Sequence, residues 1–171
     1  MTGNRKYQYL VEGETEKKLI TELKKEGGFI LSGAVNHFNV VEHRLTNAMV
    51  ANISSNTVVI LVFDTDKKKT DILKENISKL KKSRNVKDIW CVMQVENLED
   101  ELIRSTDVRR IRDLLGCRSD SDFKRDLIKE KRLIAKLREH HFEIDKMWVT
   151  SPGIEYRDFQ SAGEKIKTVH N

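Results

Sequence analysis

Thr57-Val58-Val59-Ile60-Leu61-Val62-Phe63, running into Asp64-Thr65-Asp66, is the stretch whose reading decides the fold. It is the most apolar run in the chain, dominated by β-branched and aliphatic residues and free of glycine and proline. Such a run predicts a strand buried on both faces, the kind found at the centre of a parallel sheet. A strand of that kind ends at the carboxyl edge of the sheet, where open α/β folds place their ligands. Side chains two apart on an extended segment point the same way, so Asp64 and Asp66 are placed to converge on one cation. Two close carboxylates repel, and a hard divalent ion such as Mg²⁺, with oxygen ligands at about 2.0–2.1 Å, relieves the repulsion. The residues also allow a plainer reading, in which Asp64 caps the next turn and Asp66 joins Lys67-Lys68-Lys69 in a solvated loop.

Working outward, residues 5–11 alternate Tyr7, Tyr9 and Val11 against Lys6 and Gln8 and predict a short strand turning at Glu12-Gly13. A helix over 14–25 follows, with Leu19, Ile20 and Leu23 as one stripe and Gly27-Gly28 as its stop. Residues 38–41 read as a weak second strand and 46–53 as a short helix. Beyond the central strand the pattern predicts a helix over 70–83, with Ile72, Leu73, Ile77 and Leu80 inward, and a strand over 89–93. This alternation predicts an α/β fold with a mostly parallel central sheet flanked by helices. From Leu98 the chain reads as helical, over 98–105, 108–115 and a longer 122–140, and 146–149 reads as an edge strand or an apolar tail. The break at Gly116-Cys117-Arg118-Ser119 divides a sheet-bearing part, 1–117, from a helical C-terminal extension, 118–171.

Between the first strand and first helix lies Glu12-Gly13-Glu14-Thr15-Glu16. Glu12 is expected at the same carboxyl edge as Asp64, Gly13 at a tight turn, and Glu16 on the first helical turn facing back across the mouth. A structural reading stands beside this one: Glu14 and Glu16 complement the helix dipole, and Thr15 helps to cap.

A strand ending in Val11-Glu12-Gly13 with Thr15-Glu16 after it, then a buried strand ending in Phe63-Asp64-Thr65-Asp66, resembles the Toprim domain of topoisomerases, primases and OLD-family nucleases. The Glu-Gly-x-Thr-Glu form is most similar to the OLD-family nucleases and the small ribosomal-RNA maturases. The resemblance spans about residues 5–105 and rests on two short motifs, their order and their strand context. It implies a Toprim-like Rossmannoid fold and a nuclease that uses Mg²⁺ or Mn²⁺. Glu12 would act in acid/base chemistry or hold metal, Asp64 and Asp66 would bind metal, and Glu16 would add a ligand. A further acid after the last strand is common in that branch, which points to Glu99, with Glu96 close behind; a capped acidic helix start accounts for both as well. Lys67 or Lys68 would face the scissile phosphate or the flanking backbone, and Lys124 and Arg125, opening a basic helix, would lie along a nucleic-acid backbone. An amphipathic helix docked on the sheet explains that last pair equally.

Composition sets the outer limits. The 171 residues carry a net charge of +5 and 35% charged residues, which suits a highly charged globular protein and permits a polyanionic partner. The opening Met-Thr-Gly-Asn-Arg-Lys lacks an apolar leader and no run is long enough to cross a bilayer, so a cytoplasmic protein without membrane contact is expected. Cys91 and Cys117 offer neither a metal spacing nor a disulfide framework. His37 and His43 have no evident partner, and His140-His141 reads as a charge site at a helix end. There is no phosphate loop of the Walker kind, which disfavours nucleotide hydrolysis. OLD-family nucleases usually carry an ATPase domain, so this chain is expected to act alone or with an ATPase or other protein partner. Topoisomerase and primase activities would need a nucleophilic tyrosine domain or template-binding modules for which 171 residues leave little room. The expected function is a metal-dependent nuclease on DNA or RNA, in phage defence, repair or RNA processing. The alternatives are a non-catalytic Toprim-like module that binds nucleic acid or a partner, and a phosphate-ester hydrolase or phosphotransferase of the receiver-like kind with a nucleophilic Asp.

Overall fold

The computed structural model describes residues 4–26 and 28–169. Four strands, β1 (Lys6–Val11), β2 (Ala34–His37), β3 (Thr57–Asp64) and β4 (Val86–Gln94), form one sheet in the order β2-β1-β3-β4. All three pairings are parallel. The fold is therefore α/β and Rossmann-like, with β3 at its interior.

All eight residues of β3 are buried. Its side chains alternate between two apolar layers, since successive residues of a strand face opposite ways. Val58, Ile60 and Val62 join Leu19, Ile20 and Leu23 of helix α1 (Glu14–Lys25). The same layer holds Leu98 and Leu102 of α4 (Leu98–Ser105), with Ile111 and Leu114 of α5 (Ile111–Leu115). Val59, Leu61 and Phe63 join Val50 of α2 (Asn47–Ala51) and Leu73 and Leu80 of α3 (Asp71–Lys81). Each such side chain contributes about 1.5–3 kcal/mol on burial. Residues beyond 117 share the first layer: Phe123 and Leu127 of α6 (Phe123–Lys129), Leu133, Ile134 and Leu137 of α7 (Leu133–Glu139), and Ile166 of α8 (Gly163–Ile166).

Several expectations need correction. The second strand lies at 34–37 rather than 38–41. As an edge strand it is mostly exposed and carries no hydrophobic period, whereas Val40 and Val41 are buried in the turn that follows it. The helix expected over 108–115 starts only at Ile111. The long helix over 122–140 is two helices, parted at 130–132. Glu130 and Lys131 occupy the turn where the apolar stripe would continue, so nothing draws that turn onto the core, and Glu130 instead accepts from the backbone of Arg132 at 2.7 Å. Of the two readings of residues 146–149, the packed apolar tail holds and the edge strand does not: Met147 and Trp148 are buried side chains of the first layer. Gly163 is required there, because a Cβ on it would meet the Trp148 carbonyl oxygen at 2.8 Å. The helix stop read at Gly27 lies outside the described residues, as does the opening Met1-Thr2-Gly3; Gly28 has φ +57°. Among the described residues, no helix is long and apolar enough to cross a membrane.

Candidate functional site

The parallel register carries the ends of β1, β3 and β4 to one edge. Val11 lies beside Val62, and Asp64 beside Gln94. Glu12, one residue past β1, accepts a hydrogen bond on Oε2 from the backbone N–H of Asp64 at 2.9 Å. Asp64 is 9% exposed, and its Oδ1 accepts from Gln94 Nε2 at 2.6 Å. Burial pushes the Asp64 carboxyl up to about 8; the Gln94 hydrogen bond opposes this, and the charges of Glu12, Glu16 and Asp66 add to it. Burial likewise raises Glu12, against the hydrogen bond from Asp64, with Glu16, Asp66 and Glu42 adding repulsion. These mutual fields place Glu12, Glu16, Asp64 and Asp66 in one neighbourhood.

Glu16 is 4% exposed, and its Oε2 accepts from Thr15 Oγ1 at 3.1 Å. The cap assigned to Thr15 is not made: Gly13 occupies the N-cap with no side-chain hydrogen bond. Gly13 is not at a tight turn needing glycine either, since its φ of −147° is extended backbone open to any residue. What its missing side chain provides is room, because a Cβ there would lie 2.8 Å from Glu16 Oε2.

Glu99 stands on the first turn of α4, which Asn97 caps by accepting from the Asp100 N–H at 3.0 Å. Its Oε1 lies 3.3 Å from Lys124 Nζ, while its Oε2 is buried without a hydrogen-bond partner. Desolvation lowers the Lys124 ammonium, but Glu99, then Glu16 and Asp64, outweigh it and raise it overall. Lys124 therefore belongs to the acidic neighbourhood. Arg125 does not come with it, being held by Asp122 and Asp126 at 3.0 and 2.9 Å. Lys67 is half-exposed, 3.6 Å from Glu42, and Lys68 is exposed beside it. Glu96 is exposed, and only its backbone N–H reaches the site loop, donating to Thr65 Oγ1 at 3.2 Å.

Three further residues shape this region. Gln94 ends the last strand and acts only through its register with Asp64. Tyr156 stacks on Phe63 at 6.0 Å and also donates its hydroxyl to the Lys67 carbonyl oxygen at 2.6 Å. Burial, then Asp66 and Glu12, push its phenol up to about 12. Glu101, fully buried, is structural: Oε1 accepts from the Val95 N–H and from Arg104, and Oε2 from the Trp148 N–H. Three of the described histidines are engaged with other acids. His37 pairs with Glu14 at 3.0 Å, and His140 and His141 both hold Asp107, at 3.1 and 2.6 Å.

The donor set suits a hard cation in kind, being carboxylate oxygen throughout, with Glu99 Oε2 buried and unpaired. Among the described residues, however, no three His, Cys, Asp or Glu side chains are already arranged as a metal-holding group. Glu12 and Asp64 are turned instead toward donors of the protein itself. No protein-family model matches the chain, and comparison with curated proteins and with solved structures gives no significant match.

Proposed function

We propose that this chain is a divalent-metal-dependent nuclease that hydrolyses phosphodiester bonds of DNA or RNA at the carboxyl edge of its sheet. The observation that carries the reading is the crowding of Glu12, Glu16 and Asp66 around a buried Asp64 whose carboxyl is pushed up to about 8. Left without a counter-charge, such a cluster is unfavourable and repels a polyanion. Mg²⁺ or Mn²⁺ held there would reverse both effects and would supply positive charge for the phosphoryl oxygens and an activated water.

Within that reading Asp64, Asp66, Glu16 and Glu99 would hold the ion, and Glu12 would accept a proton from the attacking water. Glu12 is suited to this because burial already strengthens its hold on a proton. Lys67, Lys68 and Lys124 meet the phosphate backbone, and Tyr156 steadies the loop that carries Asp66 and Lys67. Arg125, neutralised by its neighbours, has no part in it. An ATPase or other protein partner is compatible with this proposal.

The second reading, a non-catalytic module that binds nucleic acid or a protein, draws on the hydrogen bonds that already occupy Glu12 and Asp64. One experiment separates the two. The protein, Glu12→Gln and Asp64→Asn are each incubated with single- and double-stranded DNA and RNA in Mn²⁺, Mg²⁺ or EDTA. The nuclease reading expects cleavage by the parent in metal alone and a loss of about 100-fold or more in both variants. Equal cleavage by all three rejects it, and tight nucleic-acid binding in EDTA without cleavage selects the module.

A further inference from the structure

All four strands run the same way, so their first residues share one edge of the sheet, as their last residues share the other. Lys6 lies beside Thr57 and Thr57 beside Val86, and the Lys6 and Thr57 N–H groups donate to the carbonyls of Asn56 and Asn85, each at 3.1 Å. Helix α3 returns to this amino edge, since it joins the end of β3 to the start of β4. Arg5, Lys6, Lys81, Lys82, Arg84 and Lys87 are thereby gathered on it, all exposed. Among the described residues none of these six is in an ion pair, whereas Arg44, Lys67 and Lys74 are. Asp88, the acid next to them in sequence, turns its oxygens to the Ile89 N–H and to Trp90 Nε1, at 2.9 and 2.7 Å. Lys25 and Glu26, at the end of α1, offset each other in charge.

A helix C-terminus carries about half a negative charge, which one lysine of α3 offsets. Six cations against the one carboxylate of Asp88 therefore leave a surplus that the fold does not use. Two open grooves flank the patch, and both are lined with hydroxyls: one of about 610 Å³ holds Ser78, Lys82 and Ser83, and one of about 350 Å³ holds Arg5, Lys6, Ser32 and Ser54. Arginine, lysine and serine side chains are the usual donors to phosphate oxygens. None of the large exposed apolar side chains among the described residues falls within 5–6 or 81–88, so the patch offers little to a protein core or a bilayer. The eight residues of β3, at about 3.3 Å each, set this edge about 23 Å from the acidic one. That exceeds the screening length of about 8 Å at physiological salt, so repulsion by those acids does not reach it. We propose that the amino edge of the sheet is a docking surface for the phosphate backbone of nucleic acid, contacted by Arg5, Lys6, Lys81, Lys82, Arg84 and Lys87. This goes beyond the nuclease reading and holds whether or not the carboxyl edge cleaves.

The test is fluorescence anisotropy of labelled DNA and RNA duplexes of about 20 base pairs, in EDTA, between about 50 and 200 mM salt. The parent is compared with a triple variant of the edge, Lys82→Gln with Arg84→Gln and Lys87→Gln. A control of equal charge, Lys129→Gln with Lys131→Gln and Arg132→Gln, alters exposed residues at the junction of α6 and α7. At the lowest salt the parent should bind at about 10 μM or tighter, and the edge variant about 10- to 100-fold more weakly, with a salt dependence shallower by about two to three phosphate contacts. The control should stay within about 3-fold of the parent, and so should Lys82→Arg with Lys87→Arg, which keeps the charge. A parent that does not bind, or an edge variant no weaker than the control, overturns the inference. So does capture of the parent by phosphatidylserine vesicles without any binding to either duplex.

Discussion

The backbone N–H of Asp64 is bonded to the carboxylate of Glu12, 52 residues earlier in the chain, at 2.9 Å. Two strand ends that meet side by side are thus tied by the acid that the proposed chemistry uses. Glu12 has a structural duty that needs an acceptor oxygen and, in the proposed function, a chemical one that needs a carboxylate.

The two duties separate by substitution. Glu12→Gln keeps an oxygen for the Asp64 N–H and removes a repelling charge, so its unfolding free energy should equal or exceed the parent's. Glu12→Ala removes the same charge but leaves that N–H without its partner, and should be about 1–2 kcal/mol less stable than Glu12→Gln. Both should lose metal-dependent cleavage. Denaturant melts in EDTA measure the difference, and equal stability of the two variants would deny the hydrogen bond any weight.

Asp64 makes stability depend on pH in a definite direction. Its folded carboxyl, at about 8, holds a proton that the unfolded chain releases near the ordinary value of 3.8. Between those values the folded state binds more protons, so stability is full below about 4, falls as pH rises toward 8 and levels off above it. Asp64→Asn, which still offers an oxygen to Gln94, removes the slope. In EDTA its melting temperature should match the parent's near pH 4 and exceed it by roughly 4–10 °C at pH 9. Because a metal needs the ionised carboxylate, stabilisation of the parent by Mn²⁺ should grow over the same range. A parent-to-variant difference that stays constant from pH 4 to 9 would contradict the assignment.

The parts of this molecule that were legible in the sequence are those whose burial imposes a period. Val58 to Phe63 can only be an interior strand, and Leu19, Ile20 and Leu23 fix one face of α1. The acids were legible because Glu12, Asp64 and Asp66 follow strands whose parallel order brings their ends together. The illegible parts lack such a pattern. β2 is an exposed edge, and its place was taken in the reading by Val40 and Val41, which are buried without being in a strand. Asn76, a polar residue on the buried side of α3, is 1% exposed and bonds the Leu45 N–H and the carbonyls of Val40 and His43, partners some thirty residues away that no local pattern announces. Tyr156 and Lys124 reach the site from distant segments, and no spacing within either segment announces the other end of the contact.

Glu99 and Glu101 sit two residues apart on α4 and should respond to substitution in opposite ways. Glu101 is fully buried, and both its oxygens are engaged, by the Val95 N–H, Arg104 and the Trp148 N–H at 3.0, 2.8 and 2.9 Å. In Glu101→Gln one of those donors must face the amide NH₂, and Arg104 loses its counter-charge. Breaking a buried pair in this way costs about 3 kcal/mol, which for a chain of this size lowers the melting temperature by roughly 6–12 °C. Glu99→Gln gives up a contact to a half-exposed lysine and should melt within about 2 °C of the parent, since such pairs contribute about 1 kcal/mol or less. Its loss should appear in Mn²⁺ affinity instead. Thermal melts of both variants with and without Mn²⁺ make the comparison, and a Glu99→Gln protein that is destabilised as much as Glu101→Gln, with unchanged Mn²⁺ binding, would move Glu99 from the site to the scaffold.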